Sequence, residues 1–179
     1  MSFTCPLRRQ LLAGAASSLL VPSLLRAEVI QRPKTFWERP RELWLYRPFT
    51  REEVRAVYYA EGQVQWDGYR QLCTLLRDAQ TGEAVQMSRV LLDILTGLQG
   101  YMAAIGQVRP LRTHSGYRSL KTNARTEGAV RNSLHTQGRA WDGRFEGLPA
   151  EYASSIARYL QGGGVGFYKA ADFVHVDDG

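Results

Sequence analysis

The chain contains three histidines, His114, His135 and His175, all from position 114 onward. Two of them lead short segments that also carry an aspartate. His135 begins His135-Thr136-Gln137-Gly138-Arg139-Ala140-Trp141-Asp142, and His175 begins His175-Val176-Asp177. Imidazole nitrogens and carboxylate oxygens are metal ligands, so the first question is whether His135 and Asp142 can reach one ion. On a continuous helix they would stand about 10.5 Å apart at 1.5 Å per residue, too far for a small ion. On a regular strand their odd spacing would send them to opposite faces. Gly138 removes both obstacles, because it permits a tight turn or bulge between them. The segment then reads as loop, turn and strand, with His175 arriving from a neighbouring strand. Two imidazoles and one carboxylate make a three-ligand zinc site whose fourth position is open to water, the catalytic rather than the closed structural type. Zinc in such a site lowers the pKa of its water to about 7 and polarises a carbonyl. Spacing alone leaves open that these residues are unrelated members of a core or surface.

The elements that must position them follow from the pattern. Leu43, Trp44, Leu45 and Tyr46 are sheet formers, and Val54 to Tyr59 forms a second such run. Glu61-Gly62 turns into a third at Gln63-Val64-Gln65-Trp66, which predicts an antiparallel meander. Tyr69, Leu72, Cys73, Leu75 and Leu76 have helical spacing, and Thr81-Gly82 ends the run. Ser88 is placed to cap a second helix, whose apolar positions recur from Val90 to Ile105 before Gly106 stops it. Downstream, Val108–Thr113 predicts a strand, Ser119–Thr126 a short helix and Ala140–Phe145 a strand. Pro149 opens a helix over Glu151–Leu160, closed by Gly162-Gly163-Gly164. Gly166–Tyr168 and Phe173–Val176 predict two final strands. The three glycines are no phosphate loop, because no Lys-Ser/Thr follows and a strand comes next.

The 179 residues carry 23 Lys+Arg against 17 Asp+Glu, a net charge of +6. That balance, with a mean hydropathy of -0.32, excludes a disordered polyelectrolyte and a multi-span membrane protein, and fits one globular domain. The first 27 residues hold Arg8, Arg9 and Arg26 and no acid, and Gln10 to Leu25 carry no charge. A basic start followed by a short apolar run is the layout of an export signal. Pro22 and the short length argue against a membrane span. The Arg8-Arg9 pair before Gln10-Leu11-Leu12 resembles a twin-arginine signal, which exports folded proteins and predicts a periplasmic location. Without residues 1–27 the chain keeps 20 Lys+Arg against 17 Asp+Glu, a net +3. Residues 28–40, with Pro33 and Pro40, read as a linker, leaving 41–179 as the domain. Cys5 falls in the signal and Cys73 stands alone, so no internal disulfide is expected, and Cys73 reads as a small buried residue.

The segment Ser133-Leu134-His135-Thr136-Gln137-Gly138-Arg139-Ala140-Trp141-Asp142 resembles the S-x-H-x-x-G-x-A-x-D signature of zinc peptidases related to D-alanyl-D-alanine carboxypeptidases and Sonic hedgehog. Ser115-Gly116-Tyr117-Arg118-Ser119 and Thr122-Asn123-Ala124 resemble upstream stretches of one branch, and Gly162–Tyr168 with Phe173–Asp177 resemble its ending. That branch is the murein endopeptidase K-like family, and the similarity spans roughly residues 41–179.

The resemblance implies an α+β fold with helices packed on one side of a mostly antiparallel sheet. It implies His135, Asp142 and His175 as ligands of one zinc ion, Arg118 as the cation facing the oxyanion, and Ser133 as a support of the ligand loop. For the general base two carboxylates are open. Asp177 lies two residues after His175 on the same strand face, and Asp172 precedes His175 by three residues, as in carboxypeptidase relatives; regular strand geometry favours Asp177. Trp141 and Gly143 depart from the small and aliphatic residues usual there, and His114 stands at a generally apolar position and is kept out of the ligand set. The implied activity is an exported, monomeric zinc metallopeptidase acting on the peptide stems and cross-links of bacterial peptidoglycan. The alternative is a non-catalytic peptidoglycan-binding module of the same fold. No stripe of basic and aromatic residues points to nucleic acid.

Overall fold

The computed structural model describes residues 34–179. The expected export signal lies outside the described residues, as does the first part of the expected linker. The remainder of that linker holds one 3-10 turn, Phe36–Glu38.

Seven strands form one sheet: β1 (Arg41–Arg47), β2 (Glu52–Ala60), β3 (Gln63–Val64), β4 (Leu111–Ser115), β5 (Ala140–Phe145), β6 (Val165–Tyr168) and β7 (Phe173–Asp177), in the order β3-β2-β1-β4-β5-β7-β6. The helices are α1 (Trp66–Leu75), α2 (Arg89–Ala104), α3 (Leu120–Asn123) and α4 (Ala150–Leu160). The β1–β3 meander stands as its residue pattern predicts, except that Trp66 opens α1 instead of closing β3. Ser88 caps α2, its hydroxyl accepting from the Leu91 amide at 3.4 Å. Ser119 caps α3 in the same way through Thr122, at 3.2 Å.

The sheet is mixed, which corrects the mostly antiparallel expectation. β1 and β4 run parallel, with Leu45 opposite Leu111. The cause is the crossover between them: after β3 the chain returns through α1 and α2, and a helical return delivers the next strand in the same direction as the first. Local patterning identifies β4 as a strand but says nothing of this neighbour.

Register sorts the sheet into two faces. Leu43 faces Ala56, Leu45 faces Val54 and Leu111, Leu111 faces Phe145, and Trp141 faces Val176. These residues share one face with Val174, and they join Leu72, Leu75 and Leu76 of α1 and its end, Leu91, Leu95 and Leu98 of α2, and Ala153 and Ala157 of α4 in one cluster. Helices α1, α2 and α4 therefore cover that face. Each fully buried Leu or Phe there contributes on the order of 1.5–3 kcal/mol. Cys73 is buried in this layer as a free thiol. The strand residues between the core positions, Asp142, His175 and Asp177 among them, point to the opposite face.

Candidate metal centre

The ligand loop is built by local hydrogen bonds. Val130 O accepts from the Ser133 amide, and Ser133 Oγ accepts from the His135 amide at 3.3 Å. This opens a 3-10 turn, Leu134–Gln137, that carries His135. Gly138 closes the turn at φ +67, a left-handed conformation that glycine adopts without penalty. The chain then reverses directly into β5, which holds Asp142. The turn supplies the reorientation that neither a helix nor a straight strand could. Asp142 and His175 are register partners on the antiparallel pair β5–β7, so both leave the sheet on the same face.

The three side chains converge. His175 Nδ1 lies 2.8 Å from Asp142 Oδ1, and His135 Nε2 lies 3.1 Å from that oxygen and 3.2 Å from His175 Nδ1. All three ligand atoms fall within 4.8 Å of one another. Bonds of about 2.0–2.2 Å place neighbouring ligands of a tetrahedral ion roughly 3.3 Å apart, so this near-equilateral triangle fits a metal held by two imidazoles and one carboxylate. His135 and Asp142 are almost fully buried, at 1% and 4% exposure, while His175 opens to the cleft.

Each ligand is held from behind. Gly116 O accepts from His135 Nδ1 at 2.6 Å, which leaves Nε2 with its lone pair free for a metal. Arg118 Nη2 donates to Asp142 Oδ2, so one carboxylate oxygen is neutralised while Oδ1 faces the imidazoles. The Arg118 Nε donates to Ser115 Oγ at 2.8 Å, which fixes the plane of the guanidinium. On the far edge of His175, Nε2 stands 3.0 Å from Asp177 Oδ2. Asp177 Oδ1 in turn accepts from the Gly164 and Gly179 amides at 3.1 and 3.0 Å.

These contacts set the charges. Burial opposes ionisation of Asp142, yet the His135 and His175 imidazoles against it, with the Arg118 charge, hold its carboxyl well below the usual range. Burial pushes His175 down, but Asp142 and Asp177 outweigh it and raise the imidazole. Asp177 is drawn down against burial by the Gly179 amide, by His175 and by the Gly164 amide. In the absence of an ion the cluster is thus a histidine held between two carboxylates (a charge pattern that a cation can take over).

A cleft of about 390 Å³ opens over this cluster. Arg118, His135, Asp142, His175 and Asp177 line it together, with Tyr168 and Phe173 forming one wall. Those two rings stack, with centroids 4.5 Å apart and planes 13° from parallel. The structure does not bring Asp172 to the cluster. At φ +50 its carboxylate accepts from the Ala150 amide at 2.8 Å and pairs with Arg144 at 3.3 Å, so it caps α4 from a distance in sequence. His114 is exposed, with its ring 5.9 Å from that of Phe173, and stays outside the ligand set. The carbonyl of Gly116 and the aromatic wall were not read from the sequence. A carbonyl carries no residue-type signal, and the Tyr168–Phe173 pair depends on the β6–β7 register.

A family model described as "Peptidoglycan L,D-endopeptidase MepK" matches residues 36–179. The chain is 34% identical over 146 residues to the "Peptidoglycan L,D-endopeptidase MepK" of Escherichia coli (strain K12), covering 79% of this chain and 78% of that protein, and equally to that of Shigella flexneri. It is 33% identical over 114 residues to the "Probable peptidoglycan L,D-endopeptidase MepK" of Haemophilus influenzae, covering 62% of this chain and 60% of that protein. No solved structure matches the chain significantly.

Proposed function

The chain belongs to the peptidoglycan L,D-endopeptidase MepK family, and on that footing we propose that it is a zinc metallopeptidase hydrolysing L,D-peptide cross-links of peptidoglycan. The observation that carries this reading is the convergence of His135 Nε2, Asp142 Oδ1 and His175 Nδ1 at the floor of a cleft that also presents Arg118 and Asp177.

His135, Asp142 and His175 would hold zinc, which when bound supplies an acidified water and polarises the scissile carbonyl. Asp177, outside the ligand set, is the cleft carboxylate in contact with a ligand, and it takes a proton from the attacking water as general base. The same carboxylate keeps His175 oriented through Nε2. As the carbonyl carbon becomes tetrahedral, the Arg118 guanidinium, already fixed by Ser115 and Asp142, donates to the developing oxyanion. Collapse breaks the C–N bond, and the proton held by Asp177 passes to the departing amine. The stacked Tyr168 and Phe173 offer an apolar wall to the peptide stem.

An enzyme acting on peptidoglycan works in the periplasm or cell envelope. No helix of the described residues is long and apolar enough to cross a membrane. The Arg8-Arg9 pair and the apolar run after it would deliver the folded chain by a twin-arginine route, and the catalytic unit works as a monomer on one cross-link at a time.

The test is digestion of isolated sacculi followed by mass spectrometry of the soluble muropeptides. Zinc-loaded protein releases fragments cut at the L,D-bond and the His135→Ala variant releases none. Trimming of terminal D-alanine alone, or sacculus binding without release, would overturn the endopeptidase reading.

A further inference from the structure

Arg118 sits in a short connection between β4 and α3, and that connection is clamped to the end of α1. The Tyr117 amide donates to Leu76 O at 2.8 Å. Gly116 lies so close that an added Cβ would stand 2.5 Å from the same carbonyl, so no larger residue fits there. Two residues further on, the Ser119 amide donates to Asp78 Oδ2 at 2.9 Å.

Asp78 is 2% exposed, an unusual position for an aspartate outside a functional cluster. Its other oxygen gathers its own loop, accepting from the Gln80 amide at 2.8 Å and the Thr81 amide at 3.4 Å. Its backbone closes the same loop, with the Asp78 amide on Glu83 O at 2.9 Å and the Gly82 amide on Asp78 O at 2.8 Å. Behind it, the buried Arg47 guanidinium holds the end of α1 through Leu75 O and Arg77 O, at 2.8 and 2.7 Å. The Asp78 carboxylate is therefore a fixed post facing the connection that carries Arg118.

From this post the path to the reacting region is short. Ser119 follows Arg118 directly, and the Arg118 amide donates to His135 O at 3.1 Å. Gly116 O receives His135 Nδ1. A shift at Ser119 therefore falls on Arg118, while the Tyr117 amide on Leu76 O keeps the Gly116 carbonyl, and with it His135, in place.

We propose that Asp78, buried and away from the cleft, is a positioning residue for the reaction: through the Ser119 amide it sets where Arg118 meets the oxyanion. The proposal rests on the reading of Arg118 given above, and adds a residue that touches neither substrate nor metal.

The experiment is a double-mutant cycle on zinc-loaded full chain with a cross-linked muropeptide, together with hydrogen exchange on the metal-free protein. Asp78→Asn keeps the volume but offers one acceptor oxygen where three amides need two. It lowers kcat about 10- to 100-fold, the scale of a slightly misplaced catalytic group, with KM and zinc content unchanged. In an Arg118→Ala background the same change costs less than about twofold, because acting through Arg118 makes the effects non-additive. Losses that multiply in the double variant, or a kcat unchanged in Asp78→Asn, overturn the proposal. Exchange at the Ser119 amide rises about tenfold or more in Asp78→Asn, and unchanged exchange also overturns it. If Arg118→Ala is fully active while the Ser119 amide responds, the reading of Arg118 has failed and with it the positioning role, whereas the clamp itself stands.

Discussion

Asp142 and His175 face each other as register partners on β5 and β7, with Nδ1 2.8 Å from Oδ1. Sheet register, rather than loop flexibility, fixes the spacing of two of the three candidate metal-ligating atoms. Removing either partner should therefore abolish the site instead of loosening it. Asp142→Ala and His175→Ala are expected to lose the single zinc on dialysis, measured by elemental mass spectrometry, while keeping the wild-type circular dichroism.

Asp177 contacts His175 and lines the cleft, so its two roles need separating. With Asp177→Asn at saturating zinc, kcat should fall about 10²–10⁴-fold, the range for loss of a general base, with one zinc still bound. A merely orienting carboxylate would instead lower zinc affinity by about 10–100-fold, and excess zinc would restore activity.

Asp78 gives a pH signature away from the metal. Burial alone would raise its carboxyl, but hydrogen bonds from Thr122, Ser119 and the Ser119 and Gln80 amides hold it well below the usual range. A carboxyl depressed in the folded state contributes stability above its unfolded pKa of about 3.9, and loses it as pH falls through the folded value. Thermal melts should thus show the wild type losing stability steeply below about pH 4. Asp78→Asn should start less stable at neutral pH and fall less over the same window.

Trp141 and Gly143 occupy one face of β5, and a Cβ at 143 would stand 2.3 Å from Trp141 Cζ2 and 2.3 Å from Arg112 O. The Gly143→Ala variant should be destabilised by about 1–3 kcal/mol through overpacking, read by urea denaturation. In a Trp141→Val background, itself destabilised by loss of the buried indole, Gly143→Ala should cost only the part due to the Arg112 carbonyl. Equal stability of Gly143→Ala and wild type would contradict this packing.

Much of this was legible in the chain because it is local. Ser88 is a cap whose signal is the hydroxyl itself, and Gly138 announced the turn between His135 and the strand carrying Asp142. The departures at Trp141 and Gly143 resolve into one exchange: a large ring at the first position fills the space a side chain at the second would need, and its Nε1 donates to Thr113 Oγ1 at 3.0 Å. What the sequence withheld is non-local. The parallel seam between β1 and β4 depends on a crossover through α1 and α2. Asp172 carries the spacing of a catalytic acid, yet folding places it at the start of α4. Asp78 lies far in sequence from Arg118, and only the tertiary fold brings its oxygen to the Ser119 amide.

The division of the sheet into a helix-covered face and a ligand-bearing face bears on how the protein matures. Trp141 and Val176 close the hydrophobic layer one residue away from Asp142 and His175, without help from an ion. Folding can therefore finish before metal arrives, and stripping the ion should leave a folded, reloadable protein. The proposed zinc would then be a late guest in a finished house, admitted through the open cleft.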